Sequence, residues 1–120
     1  FVMAHELAHN ALGHNMAIKN KRLSTGLASV FTGSGKVLRN YEREADRYGI
    51  FMTARAGFSY RQAAAFLKRF ASKGRLGALI AVTHPSPANR ERHAQATVDE
   101  VDLLIAQHKP LIPATAANGD

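Results

Sequence analysis

The sequence predicts a mainly α-helical fold with four main helices. Apolar residues recur three or four positions apart in separate stretches, the spacing that lines one face of a helix. Glycines and prolines stand between those stretches as stop signals. Asn, Ser and Gln occupy positions where helix N-termini take side-chain caps. The 120 residues suffice for one domain or part of one, with a core of modest size.

The first helix is expected over residues 1 to about 19, made apolar by Phe1, Val2, Ala4, Ala8, Ala11 and Leu12. No capping residue precedes it, so the chain reads as a segment of a longer protein, truncated at its N-terminus. Residues 20–39 are mixed. Turn signals at Ser24-Thr25-Gly26 and Thr32-Gly33-Ser34-Gly35 flank an apolar stretch, Leu27 to Phe31, expected as a short helix. The second main helix is expected over 40–56, capped by Asn40 and stopped by Gly57, with Tyr41, Ala45, Tyr48 and Met52 on one stripe. The third is expected over 59–73. Ser59 and Gln62 have capping-box spacing, Gly74 ends it, and Ala63, Phe66, Leu67 and Phe70 form its apolar face. A connector over 75–85 closes at Thr83-His84-Pro85-Ser86-Pro87, where two prolines set a rigid turn. The last helix runs from about Ser86 or Ala88 to Gln107, with Val98, Val101, Leu104 and Ile105 as its stripe. The domain is therefore expected over 1–110, with 111–120 as a mobile tail.

Composition narrows the class. Apolar content of 46% is that of a soluble globular chain. The apolar run Gly77 to Val82 is too short to span a membrane, and the first 15 residues do not read as a signal peptide. With no cysteine, a metal site here must use His and carboxylate ligands, which suits a catalytic zinc site better than a structural one. Sixteen Lys and Arg against nine Asp and Glu give a net charge of +7. The basic residues are dispersed, with small clusters at Lys19-Asn20-Lys21-Arg22 and around Lys68-Arg69, and read as a solvated face. A nucleic-acid partner is not expected; association with an anionic membrane surface stays open.

Chemistry concentrates in the first helix, in His5-Glu6-Leu7-Ala8-His9. Positions four apart lie about 40° apart around a helix, so His5 and His9 can aim at one point. Two imidazoles on a rigid helix are half of an ordinary zinc site, and Glu6 beside them is placed as the general base of metal-assisted hydrolysis. Burying two histidines and a glutamate without partners is costly, which argues against accidental spacing. His14 lies about 140° from His9 on a continuous helix and reads as a packing histidine or a partner behind the site. The longer metzincin pattern fails, because Leu12 and Asn15 occupy the positions of its Gly and third His.

The remaining ligand is expected from the second main helix. Glu42 and Asp46 share a face; Glu42 can bind the metal while Asp46 holds the other ring nitrogen of a motif histidine. Small Ala45 between them suits close approach of another helix. Glu44, about 200° from Glu42, points elsewhere, to solvent or an arginine.

These strings resemble the HtpX and CAAX prenyl protease family of zinc metallopeptidases, including soluble BepA-like members. They are His5-Glu6-Leu7-Ala8-His9, Glu42-Arg43-Glu44-Ala45-Asp46-Arg47-Tyr48-Gly49, and Thr83-His84-Pro85 with Arg90. The resemblance spans about residues 1–93. It implies a gluzincin fold and Zn2+-dependent endopeptidase activity on a polypeptide substrate. His5, His9 and Glu42 take the ligand role and Glu6 the catalytic one. It also implies that His84 faces the zinc, either steadying the oxyanion or occupying the open position in a latent enzyme, and that Arg90 is a supporting or substrate-binding group. Soluble members suggest a periplasmic or membrane-associated location. The family's small sheet upstream of the motif helix is absent from this chain. His93 and His108 read as surface residues. The competing readings are a basic helical binding module for nucleic acid or anionic membrane, and a latent peptidase-like domain.

Overall fold

A computed structural model describes residues 1–25, 28, 32–72 and 89–114. Among them it shows five helices and no strand: α1 (Val2–Ala11), α2 (His14–Asn20), α3 (Ser34–Arg55), α4 (Ala63–Ser72) and α5 (Arg90–Ala106). The mainly α-helical expectation holds.

The expected first helix is two. The N–H of Leu12 still reaches Ala8, but that of Gly13 turns back to Asn10. Gly13 then takes φ +69°, a left-handed conformation that a residue without Cβ adopts at little cost. Its carbonyl accepts from the N–H of Ala17 and opens α2 in a new direction. The capping signals mislocate two other starts. α3 begins at Ser34 rather than after Asn40, and α4 begins at Ala63, past Ser59 and Gln62. Most of the apolar stretch Leu27–Phe31 and the connector carrying His84 lie outside the described residues, as does the side chain of Phe70.

α3 is the central element and packs on two sides. One face meets α1; the other joins α4 and α5 through a core of Ile50, Phe51, Tyr60, Ala63, Ala64, Leu67, Ala94, Val98 and Val101. Of the expected stripe, Ala45 is buried, but Tyr41, Tyr48 and Met52 are only half-buried. The buried stripe is Leu38, Glu42, Ala45, Asp46, Gly49 and Thr53, so the face turned inward carries two carboxylates. On α5, Val98 and Val101 are buried and Leu104 packs against the core, but Ile105 is exposed. Leu111 also packs against this cluster. Tyr60 and Arg61 bind Asp102, tying the start of α4 to α5. No described helix is long and apolar enough to cross a membrane.

Candidate metal centre

The crossing of α1 over α3 builds the site. Small residues let the backbones meet: Ala8 and Ala45 are fully buried, and a Cβ on Gly49 would come within 3.0 Å of the His5 backbone nitrogen. At that separation, side chains one turn apart on each helix reach the same point.

Three of them do. His5, His9 and Glu42 are buried, and one ligand atom from each lies within 4.8 Å of the others. The two Nε2 atoms are 3.1 Å apart. Glu42 places Oε1 3.3 Å from His9 Nε2 and Oε2 3.6 Å from His5 Nε2. Ligands on a tetrahedral zinc at about 2.0–2.1 Å are separated by about 3.3 Å, so the cluster fits such an ion in donor type and in spacing. Glu6, on the same turn of α1, is at the exposed side.

Behind the cluster lies a charged layer. His5 Nδ1 is 2.9 Å from Asp46 Oδ1, close enough for the carboxylate to favour a proton on Nδ1 over one on Nε2. Arg90, at the first position of α5, donates through Nε and Nη2 to both Asp46 oxygens at 2.7 Å each, and its Nη1 is 3.4 Å from Glu42 Oε2. Burial works against the guanidinium charge, but the hydrogen bonds and charge of Asp46, with Glu42, outweigh it and raise the Arg90 pKa above its ordinary value. Arg90 is thus a group held inside the protein against two carboxylates.

His14 enters the site from a direction a continuous helix does not allow. The turn at Gly13 brings its Nδ1 to 3.1 Å from His9 Nδ1. Its Nε2 is 2.9 Å from Glu44 Oε2, and the ring stacks on Tyr41 with centroids 4.4 Å apart. Burial lowers the His14 pKa from 6.5; the hydrogen bond to Glu44 opposes the shift and neighbouring His9 adds to it. Glu44 therefore meets a histidine, not solvent alone or an arginine. A glycine inside an apolar helical run is the sequence signal for such a turn. His93 and His108 are exposed.

A helical scaffold that buries a His/His/Glu set beside a further glutamate is one that could hold a metal ion. The family model of Peptidase family M48 matches residues 18–98, and the chain belongs to that family of metallopeptidases. The matched stretch contains Glu42, Asp46 and Arg90 and begins after the H-E-x-x-H string. No curated protein and no solved structure matches the chain.

Proposed function

We propose that the chain is the catalytic helical part of a zinc metalloendopeptidase, with His5, His9 and Glu42 as metal ligands and Glu6 as general base. The observation that carries this reading is the convergence of two imidazole nitrogens and a carboxylate at 3.1–3.6 Å. Such a set of lone-pair donors, buried together, calls for a cation. When bound, zinc supplies Lewis acidity, polarising the scissile carbonyl and lowering the pKa of a water. Glu6 takes the proton of the attacking water and delivers it to the leaving amine. Asp46 holds His5 by its Nδ1, and Arg90 holds Asp46. Arg90 therefore acts as a positioning residue, its donors turned to protein carboxylates rather than to substrate.

Within the family we place the chain nearest the HtpX and CAAX prenyl protease branch, on the strings Glu42 to Gly49 and His84-Pro85. A polypeptide substrate, misfolded or membrane-associated, goes with that placement, as does a periplasmic or membrane-facing location. An oxyanion or latency role for His84 is part of the same proposal.

Casein hydrolysis by the zinc-loaded protein tests the mechanism. Activity is expected to vanish with a zinc chelator. Glu6→Gln should lose about 100-fold or more, the scale of a general base, while still binding zinc. Turnover that survives Glu6→Gln would overturn the assignment.

A further inference from the structure

We propose that the N-terminal end of α3, with the end of α2 beside it, is a docking face for anionic lipid headgroups. Its cations are Lys19, Lys21 and Arg22 on the α2 side and Lys36, Arg39 and Arg43 on α3. The proposal deepens the membrane-facing reading above and rests on it for its setting, but it makes no use of zinc.

Charge is distributed unevenly along the chain. Between Glu6 and Glu42 the sequence holds no Asp or Glu, yet five Lys and Arg stand there, at 19, 21, 22, 36 and 39. Arg43 follows, and all six cations are exposed. Among the described residues none of the six meets a carboxylate; Arg43 donates to Asn40 Oδ1, and Lys21 Nζ to the Tyr41 hydroxyl. The surface carboxylates are engaged elsewhere: Glu91 pairs with Lys68, Glu100 with Arg47 and Asp102 with Arg61. The net charge of +7 is therefore not spread evenly over the molecule.

The fold gathers these cations around one helix end. Lys36, Arg39 and Arg43 recur at three- and four-residue spacing and form an exposed stripe about 10 Å long. Residues 21–24 lie against the same end. Lys21 Nζ is 3.5 Å from the Tyr41 hydroxyl, and the N–H of Ser24 donates to Ser34 Oγ at 3.3 Å. α3 has no acidic residue in its first turn and no side-chain cap. The partial positive charge of its N-terminus therefore adds to the lysines and arginines instead of being offset. An anionic surface brought against this end relieves their mutual repulsion.

The apolar neighbour of the patch favours lipid over nucleic acid. Met16 is 68% exposed and shares a face of α2 with Lys19, three positions on. A headgroup layer suits that pair, since the ammonium meets phosphate while the apolar side chain reaches the acyl boundary. A single strand of nucleic acid would call for aromatic rings open to its bases. Tyr41, the ring beside Lys21, is already stacked on His14 with centroids 4.4 Å apart. An open stripe also meets several phosphates at once and encloses none, which suits a surface better than a single free phosphate.

The test is flotation of the full chain with vesicles of phosphatidylcholine alone and of phosphatidylcholine mixed with phosphatidylglycerol. Binding is expected to the mixed vesicles only, and to weaken as salt rises. Lys36→Gln combined with Arg39→Gln should lower that binding about 10–30-fold. Arg55→Glu removes the same amount of charge on the exposed last turn of α3, about 28 Å along the helix from Lys36, and should cost far less. No flotation on the mixed vesicles overturns the proposal, even if a variant misfolds. So does capture by a single-stranded oligonucleotide without flotation, which would make this a nucleic-acid face. An equal loss in Arg55→Glu and in the double variant also overturns it, because net charge alone would then explain the binding. Flotation that the double variant leaves unchanged removes this face while the membrane-facing reading stands. Zinc binding, measured separately, does not enter any of these outcomes.

Discussion

Asp46 is the residue on which most of the buried charge turns. It meets His5 on one side and takes two hydrogen bonds from Arg90 on the other. Asp46→Asn preserves the shape, but an amide nitrogen would then face either the guanidinium or the His5 N–H, donor against donor. Breaking one partner of a buried ion pair costs about 3–5 kcal/mol, because the other charge is left uncompensated. Urea denaturation of the metal-free variant should show a loss of that order. Zinc affinity should fall about 10–100-fold through the loosened His5 ring. A loss near zero in both measurements would mean that Arg90 and His5 find other partners. Of this site, the sequence alone shows what lies within one helical turn. Positions 5 and 9, and 42 and 46, share faces by periodicity, so the ligand candidates, and Asp46 as a brace for one of the two motif histidines, can be read directly. Arg90 cannot be paired with Asp46 by spacing, since 44 positions separate them and only the docking of α5 on α3 brings them together.

At the scale of elements, the crossing of α1 on α3 depends on Gly49. A Cβ there would meet the His5 backbone nitrogen at 3.0 Å, its Cα at 3.1 Å and the Ala4 carbonyl carbon at 3.3 Å, all main-chain atoms of a helix. Nothing at this contact is a flexible side-chain end that could swing away. Gly49→Ala gains about 1 kcal/mol in helix propensity but forces the helices apart at a cost of about 1–3 kcal/mol. The net effect expected is destabilisation, with weaker zinc binding because His5 is carried away from Glu42. Thermal unfolding together with chelator competition checks both; a variant more stable than the parent with full zinc affinity would show that the crossing has slack. Helix boundaries are less legible from residue order, for physical reasons. A left-handed glycine at position 13 restarts the helix without leaving the apolar pattern, so periodicity runs on through the turn. The stripe Tyr41, Ala45, Tyr48 and Met52 looks like the buried face because it is apolar, but of these only Ala45 is buried, and Glu42 and Asp46 lie inside beside it. A polar face turned inward for chemistry defeats hydrophobic patterning, and the His14–Glu44 contact stays hidden until the turn is seen.

For the whole molecule, the division of labour between the two faces of α3 decides where stability resides. The aromatic and aliphatic core lies between α3, α4 and α5, whereas α1 meets α3 largely through alanine, glycine and the ligand side chains. Phe1 adds an edge contact to Phe66, with centroids 5.9 Å apart. The α1–α3 interface therefore buries little apolar area for its length, and a metal held by His5, His9 and Glu42 would clamp it. Ligand that binds only the folded chain stabilises it by about 2.7 kcal/mol at a hundred times its dissociation constant. For a domain of this size that corresponds to a rise in Tm on the order of 10 °C. Amide exchange should slow most in α1 on adding zinc and least in α4 and α5, whose contacts the ion does not touch. Glu42→Gln keeps the side-chain volume but removes the anionic ligand, so it should shrink both the Tm shift and the protection of α1. If zinc raised the Tm of Glu42→Gln as much as that of the parent, the ion would be binding somewhere other than between these two helices.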